Sequence, residues 1–526
     1  MEKKSSVHNT ANGRHDMGTR GVTRPMSEMP MQSGHNKETE KQDEHRHGKQ
    51  GDGQHPMEMN MEQRHEMLHM HHMQTLWIYW TIVLLGIWMV ISPLTFDYGK
   101  NSVEPSGGRE VWLSLADRVL AMKWSDIISG LLLIFFGLRS LSPNRPYSMW
   151  ICCFIGIWIS MAPLIFWAPT AVAYLNDTMV GALVIALTIL IPGMPNMIMY
   201  MKMGSEVPQG WTYNPSSWPQ RWIMIVAGFF GWIVSRYLAA FQLGYIDSMW
   251  DPFFGNGSIQ VLNSSMSHAL PISDAGLGSL AYTFEFLMGY MGSPSRWRTM
   301  PWMVAFFGIL VIPLGLVHIF LVISQPLVVG AWCTFCLLAA AIMLPMIPLE
   351  GDEVIAMGQH MVQATRRGEK FWSIFWKGGK PVEMNKDERS PRLMQFSESP
   401  WKIVKASIWG MTFPWTLVLS SIVGISVMAL PGIFGVDIKA TAADIGHLGG
   451  ALIVVVAVIS MGEIFRVGRH LNILLGLAVA ILPWIVSDST IGLSISYSIA
   501  GLAVAALSFP RGPKTETYGL WDQYVR

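Results

Sequence analysis

Pro326-Leu-Val-Val-Gly-Ala-Trp-Cys-Thr-Phe-Cys-Leu-Leu-Ala-Ala-Ala-Ile-Met-Leu-Pro-Met-Ile-Pro348 is an apolar run that can cross a bilayer as a helix. Near its start, Cys333 and Cys336 are spaced Cys-x-x-Cys and fall on one helical turn. Two thiols at this spacing can close a disulfide and pass two electrons. A dithiol in a membrane span indicates a lipid-soluble redox partner such as a quinone. The alternative is a pair of buried structural cysteines.

The composition indicates a membrane protein. Of the 526 residues, 51% are hydrophobic and 14% are charged. The mean hydropathy of +0.33 is too high for a soluble protein of this length. The net charge of +1 argues against a nucleic-acid partner. The first apolar run begins only near Leu76, after a polar stretch, so we expect no secretory signal.

Apolar runs of membrane-spanning length recur along the rest of the chain. We therefore expect an all-α integral membrane protein with about twelve transmembrane helices, in which a central four-helix bundle is flanked by helical-hairpin repeats. The predicted spans are about 76–96, 125–141, 148–167, 176–194, 221–245, 276–292, 301–324, 327–347, 407–432, 442–462, 471–486 and 493–510.

The Lys and Arg residues of the loops predict the orientation. One set of alternating loops is basic, whereas loop 246–275 of the other set has no Lys or Arg. Loop 97–124 is an exception, because acids balance its basic residues. We expect an integral protein of the bacterial inner or plasma membrane with both termini in the cytoplasm. Loop 246–275 and the cysteine end of the eighth span then face outward, where disulfides persist.

A glycine–proline repeat occurs in four odd-numbered spans. Each copy is Gly-x6-Pro, and the copies start at Gly86, Gly156, Gly424 and Gly476. The next span of the first three opens with an acid and then a glycine: Asp126 and Gly130, Asp177 and Gly181, Asp444 and Gly449. We expect the acid to cap its helix and the glycine to let the two helices of a hairpin approach closely. The acids would also fit an ion path.

The hairpin pattern resembles the SPW-repeat membrane family. The matching stretches are Ile91-Ser-Pro-Leu94, Asn176-Asp-Thr-Met-Val-Gly-Ala-Leu183, Ser508-Phe-Pro-Arg-Gly512 and Tyr518-Gly-Leu-Trp-Asp522. The resemblance implies two membrane modules of four helices each, one over residues 76–200 and one over 406–526. It implies little about activity.

The central unit, residues 218–350, resembles the vitamin K epoxide reductase family. The matching stretches are Val261-Leu-Asn-Ser-Ser265, Pro271-Ile-Ser-Asp-Ala-Gly-Leu-Gly-Ser-Leu-Ala-Tyr282 and Trp332-Cys-Thr-Phe-Cys336. The resemblance implies a four-helix bundle that oxidises thiols and reduces a quinone, either ubiquinone or menaquinone. Cys336 would then face the quinone. Cys333, nearer the outer surface, would exchange disulfides with a periplasmic or other extracytoplasmic thiol protein.

One departure from that family lies in the outward loop. The family's loop carries its own cysteine pair, which relays electrons, whereas residues 246–275 contain no cysteine. The two other cysteines of the chain, Cys152 and Cys153, are adjacent in the third span, and we interpret them as packing residues. Either an external thiol protein docks directly on Cys333, or the dithiol is a remnant in a domain that no longer turns over.

Four further polar residues of the central unit are candidates for a role at the site. Arg236 and Glu285 fall at similar depth in neighbouring spans, and we expect them to form a structural ion pair. His318 could pass a proton to a reduced quinone, and His268 in the outward loop could assist thiol deprotonation. The alternative for each histidine is a structural role, such as a core histidine bonded to a carbonyl.

Residues 1–75 contain ten of the fifteen histidines, and we expect a disordered His/Met-rich cytoplasmic tail. Thioether and imidazole groups suit copper or silver ions, so the tail is a candidate metal site. The alternative is a solvated leader that binds nothing. The proposed ligands are His65, Met67, His69, Met70, His71, His72 and Met73.

Residues 351–405 are polar and basic and form a predicted cytoplasmic linker, either a plain connector or an amphipathic stretch on the inner leaflet. Three classes of function fit the sequence. The favoured one is a membrane thiol–quinone oxidoreductase. The others are a metal-handling membrane protein for copper or silver with a degenerate redox domain, and a membrane scaffold or transporter.

Overall fold

The computed structural model describes residues 61–143, 145–189, 203–380, 382, 384–393 and 399–525. Twelve long helices cover most of these ranges, and ten of them are long and apolar enough to cross a membrane. The prediction of an all-α integral membrane protein is confirmed. The helices are α1 (Met61–Thr95), α2 (Leu115–Ser140), α3 (Pro146–Ile165), α4 (Ala171–Ile189), α5 (Trp218–Gln242), α6 (Asp274–Tyr290), α7 (Pro301–Val328), α8 (Thr334–Arg366), α9 (Trp415–Ile433), α10 (Thr441–Met461), α11 (Glu463–Trp484) and α12 (Ile491–Leu507).

Helices α1–α4 form two hairpins, each closed by a pair of facing glycines. A Cβ built on Gly86 of α1 would lie 2.8 Å from the carbonyl oxygen of Gly130 in α2, and one on Gly130 would lie 2.6 Å from that of Gly86. Gly156 of α3 and Gly181 of α4 face each other in the same reciprocal way, at 3.1 and 2.6 Å. These approaches leave no room for a side chain, as the repeat predicts.

Helices α9–α12 form two more hairpins of the same kind. Gly424 of α9 faces Gly450 of α10, and Gly476 of α11 faces Gly501 of α12. The predicted partner Gly449 is therefore wrong by one residue, because its Cβ position faces Val479 of the next hairpin instead. Two domains of paired hairpins result. We call α1–α4 the first repeat domain and α9–α12 the second repeat domain.

The prediction that the acids cap helices is wrong for Asp126 and Asp177. Helix α2 begins at Leu115 and is capped by Ser114, whose hydroxyl accepts the Asp117 N–H, so Asp126 lies well inside the helix. Asp177 likewise lies inside α4. In α2, charged first turns precede the apolar run, and α4 begins at Ala171, before the span predicted from residue 176.

Helices α5–α8 pack together as the central four-helix bundle. The first repeat domain contacts this bundle through α5 and α6, and the second contacts it through α7 and α8. Helix α8 extends beyond the predicted end at residue 347 and through the first part of the predicted linker, to Arg366. The acids that lower the hydropathy here are buried and bonded, since Glu353 pairs with Arg296 at 2.6 Å and Asp352 accepts the Tyr213 hydroxyl at 2.6 Å.

The predicted linker also contains three short helices, Phe371–Lys377, Arg389–Leu393 and Pro400–Ser407. Trp372, Trp376 and Trp401 on these segments are exposed. Two of the helices thus present tryptophan together with lysine, as expected for an amphipathic stretch. At the other end of the chain, α1 begins at Met61, so residues 61–75 are helical rather than disordered. Residues 1–60 lie outside the described ranges.

Candidate functional site

Cys333 and Cys336 form a disulfide at the amino end of α8, with their Cα atoms 5.2 Å apart. Cys333 is the residue that precedes the helix, and its Sγ accepts the backbone N–H of Cys336 at 3.1 Å. A sulfur at a helix amino terminus is close to the positive end of the helix dipole, which stabilises a thiolate there. The local fold thus places a redox pair where its reduced form is electrostatically favoured.

The expectation that Cys333 is the accessible sulfur is wrong for this conformation. Cys333 is 0% exposed and Cys336 is 8% exposed. The Cys333 N–H donates to the side-chain oxygen of Gln325 at 3.3 Å. The loop between α5 and α6 also lies directly on the motif, because a Cβ on Gly257 would approach the Trp332 carbonyl oxygen to 2.1 Å.

Asp251 fastens this loop to the cysteine motif. One carboxylate oxygen accepts the hydroxyl of Thr334, one of the two residues between the cysteines, and the N–H groups of Phe253 and Phe254. The other oxygen accepts the N–H of Ser258 at 3.1 Å and its hydroxyl at 2.6 Å. Residues 246–273 therefore form a cap over the disulfide. Asp251 bonds this cap to α8, and buried apolar residues of the cap pack in one cluster with both cysteines.

The electrostatics of Asp251 fit this role. Burial opposes ionisation of the carboxyl, but the hydrogen bonds from Ser258, Thr334 and two backbone N–H groups outweigh it, and the pKa of Asp251 is lowered below its ordinary value. The group is thus ionised at neutral pH and acts only as an acceptor. Sequence reasoning missed Asp251. The signal was the pair Asp251-Pro252 in a loop, which favours a turn built on the aspartate side chain.

On its membrane side, the disulfide meets an apolar interior. Cys336 packs with Val234, Leu238 and Ala339 in one buried cluster. The Ala339 carbonyl, one turn further along α8, accepts the Tyr282 hydroxyl at 3.0 Å. His318 packs edge-on against Tyr282, with the ring centroids 6.3 Å apart. Tyr282 therefore lies between His318 and the helical turn that follows Cys336.

His268 lies elsewhere in the cap. Burial and the nearby Arg109 guanidinium lower the pKa of His268, and Asp274 opposes this effect. Arg109 belongs to the connection between α1 and α2, and it donates to the carbonyls of Ser267, Leu270 and Ile272. The structure therefore groups His268 with a guanidinium of the first repeat domain rather than with the sulfurs.

The predicted Arg236–Glu285 ion pair is not formed. Arg236 points into the first repeat domain, where it donates to the Thr178 hydroxyl at 2.9 Å and lies over the rings of Tyr174 and Trp232. Both carboxyl oxygens of Glu285 are buried without a hydrogen-bond partner. Equal depth along two helices does not fix the direction of their side chains, and here the two point away from each other.

The proposed metal ligands fall on the first turns of α1. His72 bonds the Leu141 carbonyl at 3.0 Å, while His65, His69 and Met70 are exposed. Among the described residues, no three His, Cys, Asp or Glu side chains converge as a metal site would require. The side chain of Met67 lies outside the described part.

The second repeat domain also touches the cysteine motif. The Trp332 ring packs edge-on against His447 of α10, with centroids 5.4 Å apart. Lys439 lies against Gly330, where a Cβ would meet its Cε at 2.7 Å. With the Arg109 contacts on the other side, both repeat domains hold the segments that surround the disulfide.

The disulfide, its cap and the four-helix bundle coincide with a family match. Residues 222–350 match the model of the vitamin K epoxide reductase family. This match covers most of the central bundle, which we call the reductase-family domain. Residues 109–191 match the SPW repeat domain, within the first repeat domain. No curated protein and no solved structure matches the chain. These matches confirm the resemblance of the central unit and of the first repeat domain to the two families, and the reductase-family domain supports an oxidoreductase acting on thiols.

Proposed function

We propose that the reductase-family domain is a membrane thiol–disulfide oxidoreductase. It passes electrons from an external thiol partner through Cys333 and Cys336 to a membrane quinone, ubiquinone or menaquinone. The observation that carries the proposal is the disulfide at the start of α8, which lies between the cap on one side and the apolar interior of the bundle on the other. A dissolved thiol approaches from the first side and a lipid-soluble acceptor from the second.

The reaction balances without a further reagent. A partner thiolate attacks one sulfur, so that a mixed disulfide forms and the Cys333–Cys336 bond breaks. The second partner thiolate then releases the partner disulfide and leaves both chain cysteines reduced. Two electrons and two protons pass from this dithiol to the quinone, which restores the disulfide and yields the quinol. His318, beside Tyr282, is the proposed group for one of these proton transfers.

Opening of the cap is a required step in this cycle, because Cys333 has no exposed surface. The cap lacks the cysteine pair that would relay electrons through it, so the thiol partner must reach the disulfide directly. Breaking the Asp251–Thr334 contact frees one of the two residues between the cysteines. We propose His268 as a base that assists the incoming thiol when the cap moves.

The proposed setting is a bacterial inner or plasma membrane with both termini in the cytoplasm and the cap outside. The absence of Lys and Arg from loop 246–275 supports this orientation. We further propose that residues 406–526 are a second SPW-type module, since α9–α12 repeat the glycine contacts of α1–α4. The two modules would then hold the reductase-family domain from both sides.

The test uses the full-length protein in lipid nanodiscs, with a small dithiol as donor and a soluble quinone analogue as acceptor. We expect Cys333→Ser and Cys336→Ser each to reduce quinone turnover to the uncatalysed background. The matched control replaces Cys152 and Cys153 by serine and should keep the parent rate, because those thiols lie in α3 outside the site. If the parent protein itself does not accelerate quinone reduction, the proposed activity is wrong.

A further inference from the structure

The facing glycines give the four hairpins a common register. Four residues before the glycine in the second helix of each hairpin stand Asp126, Asp177, Gly446 and Tyr497. In the first repeat domain, the residues at this position are two acids. In the second, they are a glycine and a tyrosine. The equivalent positions of the two repeat domains are therefore occupied by residues of different chemistry.

In the first repeat domain the two acids meet. Asp126 is 1% exposed and Asp177 is 0% exposed, their side chains interact directly, and each carboxyl group has one buried oxygen without a partner. The contact joins α2 of the first hairpin to α4 of the second. Two negative charges in such contact, away from water, repel strongly and lose their hydration, so the pair cannot remain fully ionised.

The hydrogen bonds around the acids leave a defined place for one proton. The Tyr98 hydroxyl donates to Asp126 Oδ2 at 2.6 Å, and the Asn176 side-chain amide donates to Asp177 Oδ1 at 3.1 Å. Asn176 is itself oriented by Trp88, which donates to its oxygen at 2.7 Å. Asp126 Oδ1 and Asp177 Oδ2 are buried and receive no hydrogen bond from the protein.

The second repeat domain shows that the scaffold does not require these acids. There the Tyr497 hydroxyl occupies the space above Gly446, where a Cβ would approach it to 2.1 Å, and it donates to the Ala442 carbonyl at 3.0 Å. The surrounding residues also change. Counted from the paired glycine of the first helix, Ser92 and Tyr98 correspond to Leu430 and Val436, which pack in an apolar cluster with Tyr497.

We propose that Asp126 and Asp177 form a proton-binding site in the first repeat domain. The pair holds one proton, shared between Asp126 Oδ1 and Asp177 Oδ2, and carries one negative charge. Tyr98 and Asn176 stabilise that charge by donating to the two outer oxygens. The site is independent of the disulfide chemistry, because none of its residues belongs to the reductase-family domain.

Few other titratable or charged groups face the pair. Tyr98 lies on the connection after α1, and Tyr245 follows α5. The guanidinium of Arg236 in α5 bonds Thr178, which follows Asp177 in the sequence. The proton on the pair therefore decides the local charge in this part of the first repeat domain.

Infrared spectroscopy of the full-length protein in nanodiscs tests the proposal. We compare the parent with the double variant Asp126→Asn, Asp177→Asn at neutral pH, in H2O and in D2O. The parent-minus-variant spectrum should contain one carboxylic-acid C=O band that shifts in D2O and one carboxylate band. Two carboxylate bands, or two acid bands, would each overturn the shared proton.

Two controls keep this result interpretable. The double variant Asp126→Gly, Asp177→Tyr copies the second repeat domain, so it should fold and lose the same two bands. Asp444→Asn changes an acid of α10 outside the facing position and should leave both bands in place. All spectra are repeated with choline and with sodium as the salt cation. An acid band that appears only without sodium would mean that the site binds a metal cation, and the proton proposal would be rejected.

Discussion

The first and second repeat domains have the same glycine contacts but differ in the groups packed beside them. Gly86 and Gly130 approach each other as closely as Gly424 and Gly450 do. Beside the first pair lie Asp126 and its polar partners, whereas an apolar cluster around Tyr497 lies beside the second. The glycines therefore set the spacing of the helices, and this spacing does not require the polar groups of the first repeat domain.

The two repeat domains also contact the reductase-family domain in different ways. The first repeat domain donates hydrogen bonds to the cap through Arg109. The second touches the cysteine motif by packing alone, through His447 and Lys439. Removing the hydrogen bonds of the first repeat domain should therefore affect the cap more than removing the packing contact of the second.

The largest expected effect on stability comes from replacing the facing glycines that both repeat domains share. Gly130→Val and Gly450→Val should each lower the free energy of unfolding by about 1–3 kcal/mol, because the added side chain overlaps a backbone carbonyl on the facing helix. Denaturant unfolding in detergent micelles measures this. Gly432→Val is the control, since a Cβ there meets nothing within 4 Å. Equal losses for all three variants would show that the glycine pairs do not set the helix spacing.

The next effect concerns the cap. Arg109→Ala removes hydrogen bonds to the carbonyls of Ser267 and Ile272, at 3.3 and 3.2 Å, together with one to Leu270. At about 0.5 kcal/mol for each of the three bonds lost, the lower end of the usual range, reduction of the Cys333–Cys336 disulfide by a phosphine should accelerate roughly tenfold.

Lys439→Ala is the counterpart in the second repeat domain, and it should change the rate of disulfide reduction by less than about twofold, as expected for a surface substitution. A larger effect for Lys439→Ala than for Arg109→Ala would reverse the proposed difference between the two domains.

A smaller effect is expected from the tyrosine that stands in place of an acid. Tyr497→Phe removes the hydrogen bond to the Ala442 carbonyl and leaves the space above Gly446 partly empty. The free energy of unfolding should fall by about 1 kcal/mol. Tyr524→Phe, at a residue that is 52% exposed, should have no measurable effect. If both substitutions are neutral, the hydroxyl does not stabilise the second repeat domain.

The smallest expected effect is that of pH on the rate of disulfide reduction, which should hardly change near neutral pH. The pKa of Asp251 is lowered in the folded protein, so its stabilising contribution is complete above the ordinary aspartate value of about 4 and is lost as the pH falls through the lower folded-state value. The phosphine reduction rate should therefore be flat from neutral pH down to about pH 5. A steep rise in that range, absent from Asp251→Asn, would contradict the assigned ionisation.

The sequence predicts the membrane architecture and the redox pair, because apolar length and cysteine spacing are local signals. It also finds both facing glycines of two hairpins. The prediction that Asp126 and Asp177 cap their helices is wrong, since hydropathy marks the apolar part of a helix and not its first residue. The predicted Arg236–Glu285 ion pair is wrong because depth in the membrane does not determine which face of a helix a side chain occupies. The contact of Asp251 with Thr334 joins segments far apart in the chain, so no local pattern shows it.

The cap over the disulfide has no cysteine of its own and is fastened through a carboxylate. Noncovalent fastening has a kinetic consequence. Thermal fluctuation alone can release and re-form it, so the frequency of exposure of Cys333 is independent of the oxidant or reductant content of the surrounding compartment. Temperature and the strength of a few hydrogen bonds set how often the sulfur becomes available, whereas the redox surroundings act only on what happens once it is uncovered.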